Sequence, residues 1–368
     1  MTKAVPQPEP KPHDTPPVPE RGSYTFAPGK GARTVADLAR RGLMDTAHMG
    51  AAEIAARAFP VLLTGEVLAA IDADDPADPV ARQYVPAPDE LTVAPGERTD
   101  PIGDEAHSPV LGLVHRHPDR VLLMPTEACA VHCRFCFRRH ALADPKTLTD
   151  VELDAALDYV RARPAIAEVI LTGGDPLVLS AERLRRLIAA IEAIPHVGTI
   201  RIHSRVPIAA PTRVTADMIA ALGTGKAMFL AVHCNHAHEL TDAARAACAM
   251  FTAAGIPVLA QTVLLKGVND SADALAELMT ALVAARIKPY YLHHCDMVAG
   301  AAHFRTAIED GRALMAQLRR RVSGLALPTY VLDIPGGHGK VPLGPDHGPD
   351  AQGLVLDGEG RPHRYPSL

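Results

Sequence analysis

The sequence predicts an α/β chain built on a parallel sheet, and two observations carry that prediction. Short apolar, β-branched runs alternate with helical stretches six times beyond Val114, and strands joined through helices pair in parallel with right-handed crossovers. The conspicuous glycine and polar residues follow the strand runs rather than the helices, and parallel α/β architectures place their chemistry at those carboxyl ends. The pattern by itself leaves open whether the sheet is doubly wound or curls into a barrel or partial barrel.

Residues 1–33 are expected to be a disordered tail. Prolines stand at positions 6, 8, 10, 12, 16, 17 and 19 with charges between them and almost nothing apolar, a composition that neither forms a helix nor fills a core. From Thr34 the spacing becomes helical, through Val35, Leu38 and Ala39, then Ala52, Ile54, Ala55 and Ala58, with a third helix over 64–71. Residues 77–108 are proline-rich without a regular pattern and read as an extended connector, so 34–108 form a small helical N-terminal unit with its connector. The sheet domain spans 109–335. Its strands are expected at 121–124, 168–172, 199–202, 227–232, 257–260 and 289–292, and its helices at 150–163, 181–194, 215–222, 239–254, 271–285 and 304–322. Thr149 with Glu152 forms a capping box, and Ser180 caps the helix that begins at Ala181. Residues 336–368 make a C-terminal segment.

A chain of 368 residues, 48% of them hydrophobic, can bury a substantial core. No apolar run approaches the length of a bilayer span, which implies a soluble protein with no membrane partner. A net charge of -5 without a basic stripe argues against nucleic acid. Six cysteines without an export signal point to the reducing cytoplasm.

The chemistry concentrates in Cys129-Ala-Val-His-Cys133-Arg-Phe-Cys136. Three thiolates on one loop can hold three irons of a 4Fe-4S cluster and leave the fourth open to a ligand. A structural zinc wants four closed ligands, and no further cysteine pair lies nearby. A disulfide with a spare thiol is the other plain reading, and it suits a secreted protein better. Two further stretches stand out. Leu171-Thr-Gly-Gly-Asp-Pro176 is at least a tight strand-to-helix turn. Asp333-Ile-Pro-Gly-Gly-His-Gly-Lys340 is not a P-loop, because Val341 follows the lysine, but a lysine held on a glycine-rich loop beside a site can bind pyridoxal phosphate covalently.

The cysteine spacing with Phe135 before the third cysteine resembles the radical S-adenosylmethionine superfamily, and the run from Cys133 to His140 resembles the lysine 2,3-aminomutase family in particular. That resemblance implies a six-stranded partial barrel. It also implies S-adenosylmethionine chelated by the open iron, with Phe135 beside the adenine and Gly173, Gly174 and Asp175 near its amino group. Lys340 matches the family lysine that binds pyridoxal 5'-phosphate, and Arg116 and Arg120 match its phosphate-binding arginines, a residue type suited to bidentate phosphate contacts. Arg138 matches the arginine that takes the substrate carboxylate, and Asp296 and Asp333 the aspartates that take the distal ammonium of L-lysine. The implied activity is conversion of L-lysine to β-lysine by a homo-oligomer supplied by an electron donor such as flavodoxin or ferredoxin. Family members can carry a zinc site on C-terminal cysteines; this chain has no cysteine after Cys295. Arg201-Ile-His-Ser-Arg205 and the run from Tyr291 through Asp296 to His303 are similar to the branch that supplies (R)-β-lysine for elongation factor P, whereas the Gly-rich lysine loop agrees better with the metabolic enzyme. A cluster-binding protein without catalysis is the distant alternative, and retention of Lys340, Asp296 and Asp333 weighs against it. His233, His236, His293 and Cys295 invite a second metal, but adjacent strand residues such as His293 and His294 face opposite ways. Cys234, Cys248 and Cys295 read as small wall or core residues.

Overall fold

The computed structural model describes residues 31–141, 144–344, 354–356 and 361–364. The expected disordered tail lies outside the described residues up to residue 30, as does most of the chain beyond residue 344.

One nine-stranded sheet runs through the molecule, each strand pairing with the next in sequence. Its members are β1 (Leu113–His117), β2 (Arg120–Thr126), β3 (Glu168–Gly173), β4 (Thr199–Ser204), β5 (Ala227–His233), β6 (Val258–Leu264), β7 (Ile287–His294), β8 (Thr329–Asp333) and β9 (Lys340–Pro342). Strands β2 to β8 are parallel, while β1 and β9 close the two edges antiparallel. A doubly wound sheet reverses its strand order part-way and carries helices on both faces. This order never reverses, so right-handed crossovers put the helices on one side and the other side curls inward as a half-barrel.

The six strands expected from the sequence are β2 to β7, and β8 adds a seventh parallel one. Several strands also run past their apolar stretch: β4 includes His203 and Ser204, and β7 includes His293 and His294. The apolar pattern stops there because the inner face lines a polar cavity, so alternate positions carry His, Arg or Gln without losing the strand.

The helices form as their caps dictate. The Thr149–Glu152 box opens α4 (Asp150–Arg161), and the Ser180 side chain accepts the Arg183 N–H at the start of α5 (Ala181–Glu192). On α5, Leu184, Leu187, Ile188 and Ile191 recur at helical spacing and are buried against Val169, Leu171, Ile200 and Ile202 of β3 and β4. After the short α6 (Val206–Ala209), helices α7 (Ala216–Ala221), α8 (Asp242–Ala253), α9 (Ala272–Ala284) and α10 (Ile308–Arg321) complete the outer layer.

The N-terminal unit contains α1 (Val35–Ala39), α2 (Met49–Ala58) and α3 (Gly65–Ala70). Its core joins Val35, Leu38, Ala52, Leu63 and Val67 to Val131 of the cysteine loop. Ile54 sits outside at 52% exposure although it belongs to the apolar pattern. Two residues from Ala52, it points to the opposite side of α2.

The connector is anchored by Glu90. Its carboxylate accepts from Arg134 Nε at 2.9 Å and from Arg134 Nη2 and Arg139 Nη2 at 2.5 Å each, all buried. Burial opposes the charge, but the Arg134 guanidinium and its hydrogen bonds outweigh it and hold the carboxyl below its ordinary range. Glu90→Ala leaves two guanidiniums buried without a counter-charge, which should cost about 3–5 kcal/mol. Denaturant melts measure this; a loss under about 1 kcal/mol would mean that the pairs do not hold the loop.

Candidate active site

The inner face of the half-barrel encloses a cavity of about 580 Å³, within the range of small-molecule sites. All thirteen residues that the resemblance assigns to cluster, cofactors or substrate line it, as do His233 and His293, whereas His236 and Cys295 do not. The cysteine loop leaves β2, and Cys129, Cys133 and Cys136 reach the cavity with Phe135 between them. Arg134 and Arg139 turn the other way, into Glu90, so the loop alternates between site and anchor. The loop is tied further by His132 N–H to Leu62 O at 2.8 Å and Arg134 N–H to Gln83 O at 2.8 Å.

The glycine turn after β3 carries the start of this loop. Gly173 has φ +107°, where a side chain is strained, and a Cβ at Gly174 would lie 2.3 Å from the backbone oxygens of Glu127 and Ala128. The Asp175 carboxylate is occupied within the protein. It accepts from Ser204 Oγ at 2.7 Å and from the backbone N–H groups of Leu177, Arg205 and Val206 at 3.0, 2.7 and 3.1 Å. It therefore clamps the ends of β3 and β4 together, a structural task that motif resemblance alone did not indicate.

The donor set fits the cluster. In a cubane each thiolate binds a different iron; among the described residues no group of three or more His, Cys, Asp or Glu is arranged to hold one metal ion. Burial pushes the Cys133 thiol up, and the guanidinium of Arg205, donating to its Sγ at 2.8 Å, acts in the opposite direction. Arg205 is itself fixed by Gln83 at 2.6 Å and Glu239 at 2.5 Å. Phe135 stacks on His233 with ring centroids 5.7 Å apart.

Across the cavity lies the lysine loop. Lys340 opens β9 directly opposite Asp333, the last residue of β8, and its ammonium is ion-paired to the Asp333 carboxylate. His293 Nδ1 stands 3.5 Å from the same carboxylate. Burial works against its charge, yet His293 and the Lys340 ammonium hold Asp333 well below the usual carboxylate range. Asp296 behaves oppositely: burial, with Asp333 nearby, pushes it up to about 7. Two neighbouring carboxyls with divergent environments are a recurrent mark of functional sites.

Arg116 on β1 and Arg138 beyond the cysteines share the carboxylate of Asp104 at 2.7–2.8 Å. Arg120, the first residue of β2, pairs with Asp119 at 2.7 Å and is more exposed. Pyridoxal phosphate fits the remaining donors. Arg116 Nε, Arg201 Nε, His233 Nδ1 and His293 Nε2 are buried on the cavity wall without hydrogen-bond partners among the described residues, as expected of groups that meet a polar ligand.

Arg201, Tyr290 and Tyr291 also line the cavity and were not assigned to it from the sequence. The alternation Thr-Ile-Arg-Ile-His-Ser in β4 was the available signal for Arg201. His294 bonds the Tyr330 hydroxyl at 2.8 Å, away from His293 and the cavity. Cys234, Cys248 and Cys295 are free and buried.

The family model for the radical SAM superfamily matches residues 123–279, from the middle of β2 into α9. An L-lysine 2,3-aminomutase of Acetoanaerobium sticklandii is 41% identical over 286 residues, covering 77% of this chain and 69% of that one. The chain belongs to the lysine 2,3-aminomutase family. A second family member, the L-lysine 2,3-aminomutase of Escherichia coli K12, is 42% identical over 270 residues, covering 73% of this chain and 79% of that one. Among solved structures, a radical SAM methyltransferase from Sphaerobacter thermophilus aligns over 60% of this chain and 68% of that one at 20% identity, with a TM-score of 0.43. No helix among the described residues of this family member is long and apolar enough to cross a membrane.

Proposed function

We propose that this aminomutase converts L-lysine to β-lysine, moving the amino group from C2 to C3 with a 4Fe-4S cluster, S-adenosylmethionine and pyridoxal 5'-phosphate. The observation that carries this reading is the gathering of the cysteine loop and Lys340 on one cavity, from opposite ends of the sheet. When bound, the cluster supplies one-electron cleavage of S-adenosylmethionine, and pyridoxal phosphate supplies delocalisation for the migrating nitrogen.

The chain's own residues divide the remaining work. Cys129, Cys133 and Cys136 ligate the cluster, and Phe135 with His233 forms an aromatic wall beside it. Lys340 is the covalent anchor of pyridoxal phosphate, with Arg116 and Arg120 on the phosphate. Arg138 takes the α-carboxylate of lysine, and Asp296 and Asp333 take its distal ammonium. The ion pair between the Lys340 ammonium and Asp333 supports the reading that this carboxylate can accept a primary ammonium. The role of electron donor falls to a small protein such as flavodoxin or ferredoxin. None of the six cysteines is joined in a disulfide, which suits the reducing cytoplasm, and family resemblance favours a homo-oligomer.

Anaerobic assay of the reconstituted protein with L-lysine, with chiral analysis of the product, tests the reading. Absence of β-lysine from protein loaded with all three cofactors would overturn it. A pH profile refines it. As pH falls through about 7, Asp296 takes up a proton and ceases to attract an ammonium, so kcat/KM for lysine should drop on that limb. Asp296→Asn should lower kcat/KM at high pH and remove the limb. A limb near 7 that persists in Asp296→Asn assigns it to another group.

A further inference from the structure

One carboxylate of the connector stands directly behind the cavity wall, held against two arginines that line it, outside the cysteine and glycine motifs. Asp104 occupies the N-cap position of the 3-10 turn Glu105–His107, yet its side chain does not cap that turn. Asp100 satisfies the turn instead, its carboxylate accepting the N–H of Asp104 at 3.0 Å and of Glu105 at 2.9 Å. The Asp104 carboxylate, 14% exposed, is thereby free to turn inward. Its Oδ1 accepts from Arg116 Nη2 at 2.8 Å, and its Oδ2 accepts from Arg138 Nε at 2.8 Å and pairs with Arg138 Nη2 at 2.7 Å. The same turn packs on the lysine loop. Pro101 O accepts the Gly336 N–H at 3.1 Å, and a Cβ at Gly103 would lie 2.7 Å from the Gly336 carbonyl carbon.

We propose that Asp104 is a positioning residue that aims Arg116 and Arg138 together, fixing the separation between the cofactor phosphate and the substrate α-carboxylate. The proposal rests on the aminomutase reading above. Each guanidinium has five N–H donors, and Asp104 engages only part of each. Arg138 keeps its remaining Nη1 donors, and Arg116 keeps a buried Nε with no hydrogen-bond partner among the described residues. A carboxylate that merely competed with incoming anions would have blocked those faces. Without Asp104 two like charges would stand side by side and separate, and each would have to be immobilised anew when its ligand arrived.

The test uses reconstituted holoenzyme carrying Asp104→Asn. KM for lysine and the dissociation constant for pyridoxal phosphate should each rise about tenfold, the loss expected for immobilising one arginine on binding. Iron content should stay at the wild-type value, and the loss of melting temperature should be smaller than that of Glu90→Ala, whose pairs are more deeply buried. Asp104→Glu, which restores the charge, should recover most of both constants. In an Arg138→Lys background Asp104→Asn should add little to KM, because residues acting as a unit are non-additive. Should Asp104→Asn fail to fold, Arg116→Lys decides at saturating pyridoxal phosphate: acting through Asp104, it should still raise KM for lysine. Constants within about twofold of wild type, tighter binding in the Asn variant, or additive effects with Arg138→Lys would overturn the proposal. If wild-type protein makes no β-lysine, the functional reading falls, while the pyridoxal phosphate affinities still decide whether Asp104 controls Arg116.

Discussion

Lys340→Ala should yield a protein that keeps its cluster, loses bound pyridoxal phosphate and forms no β-lysine. The expectation is strong because Lys340 is the lysine on the cavity wall among the described residues. The other lysines of the sheet domain are engaged elsewhere. Lys226 Nζ donates to the carbonyls of Ile194 and Val197, and Lys288 Nζ to those of Pro289, Leu325 and Leu327, near the amino ends of their strands. Lys146 and Lys266 are exposed and do not line the cavity. The variant should lose the visible absorption of protein-bound pyridoxal phosphate and its turnover together. Iron content should be unchanged, since no cysteine is altered, and slow cleavage of S-adenosylmethionine without substrate should persist. An unchanged cofactor spectrum would place the anchor on another lysine.

Cys133→Ala has an equally large expected effect with the opposite division. Two thiolates do not retain the cubane in place of three, so iron, sulfide and S-adenosylmethionine cleavage should all disappear while pyridoxal phosphate still binds Lys340. The fold should survive, because the loop is held by Arg134 and Arg139 on Glu90 rather than by iron. Thermal or denaturant unfolding should move by no more than about 1–2 kcal/mol. Wild-type protein that holds stoichiometric zinc and no iron would contradict the cluster assignment directly.

The parts of this site that were legible in the sequence are those with a local signature. The cysteine spacing, the Gly173-Gly174-Asp175 turn and the Gly-rich loop before Lys340 each declare themselves within ten residues, and the alternation of strands and helices implies that they meet. The alternation itself does not choose between a doubly wound sheet and a half-barrel, because both share it and differ in strand order; the resemblance carried by the cysteine motif supplied that choice. Arg201 and the polar ends of β4 and β7 were obscured for a physical reason: inside a ligand cavity the inner face need not be apolar. Asp104 and Glu90 were obscured for another. Both lie in a proline-rich connector without periodicity, and each finds its arginines at long sequence separation, Glu90 reaching Arg134 across 44 residues. Only packing reveals such pairs.

The hairpin of β8 and β9 makes the meeting of Asp333 and Lys340 a matter of counting. Asp333 and Lys340 face each other because Leu332 pairs with Val341 and Val331 with Pro342, and the turn between them closes through Ile334 N–H to Gly339 O at 2.8 Å. Surface turns ordinarily accept insertions and deletions with little harm. This one does not have that freedom, since a slip of one residue would send every β9 side chain to the opposite face. Residues within the turn can therefore be exchanged, but a change of its length by one is expected to take the lysine out of the cavity. Efforts to diversify this loop by recombination or by inserted tags should succeed only when the spacing between Asp333 and Lys340 is kept.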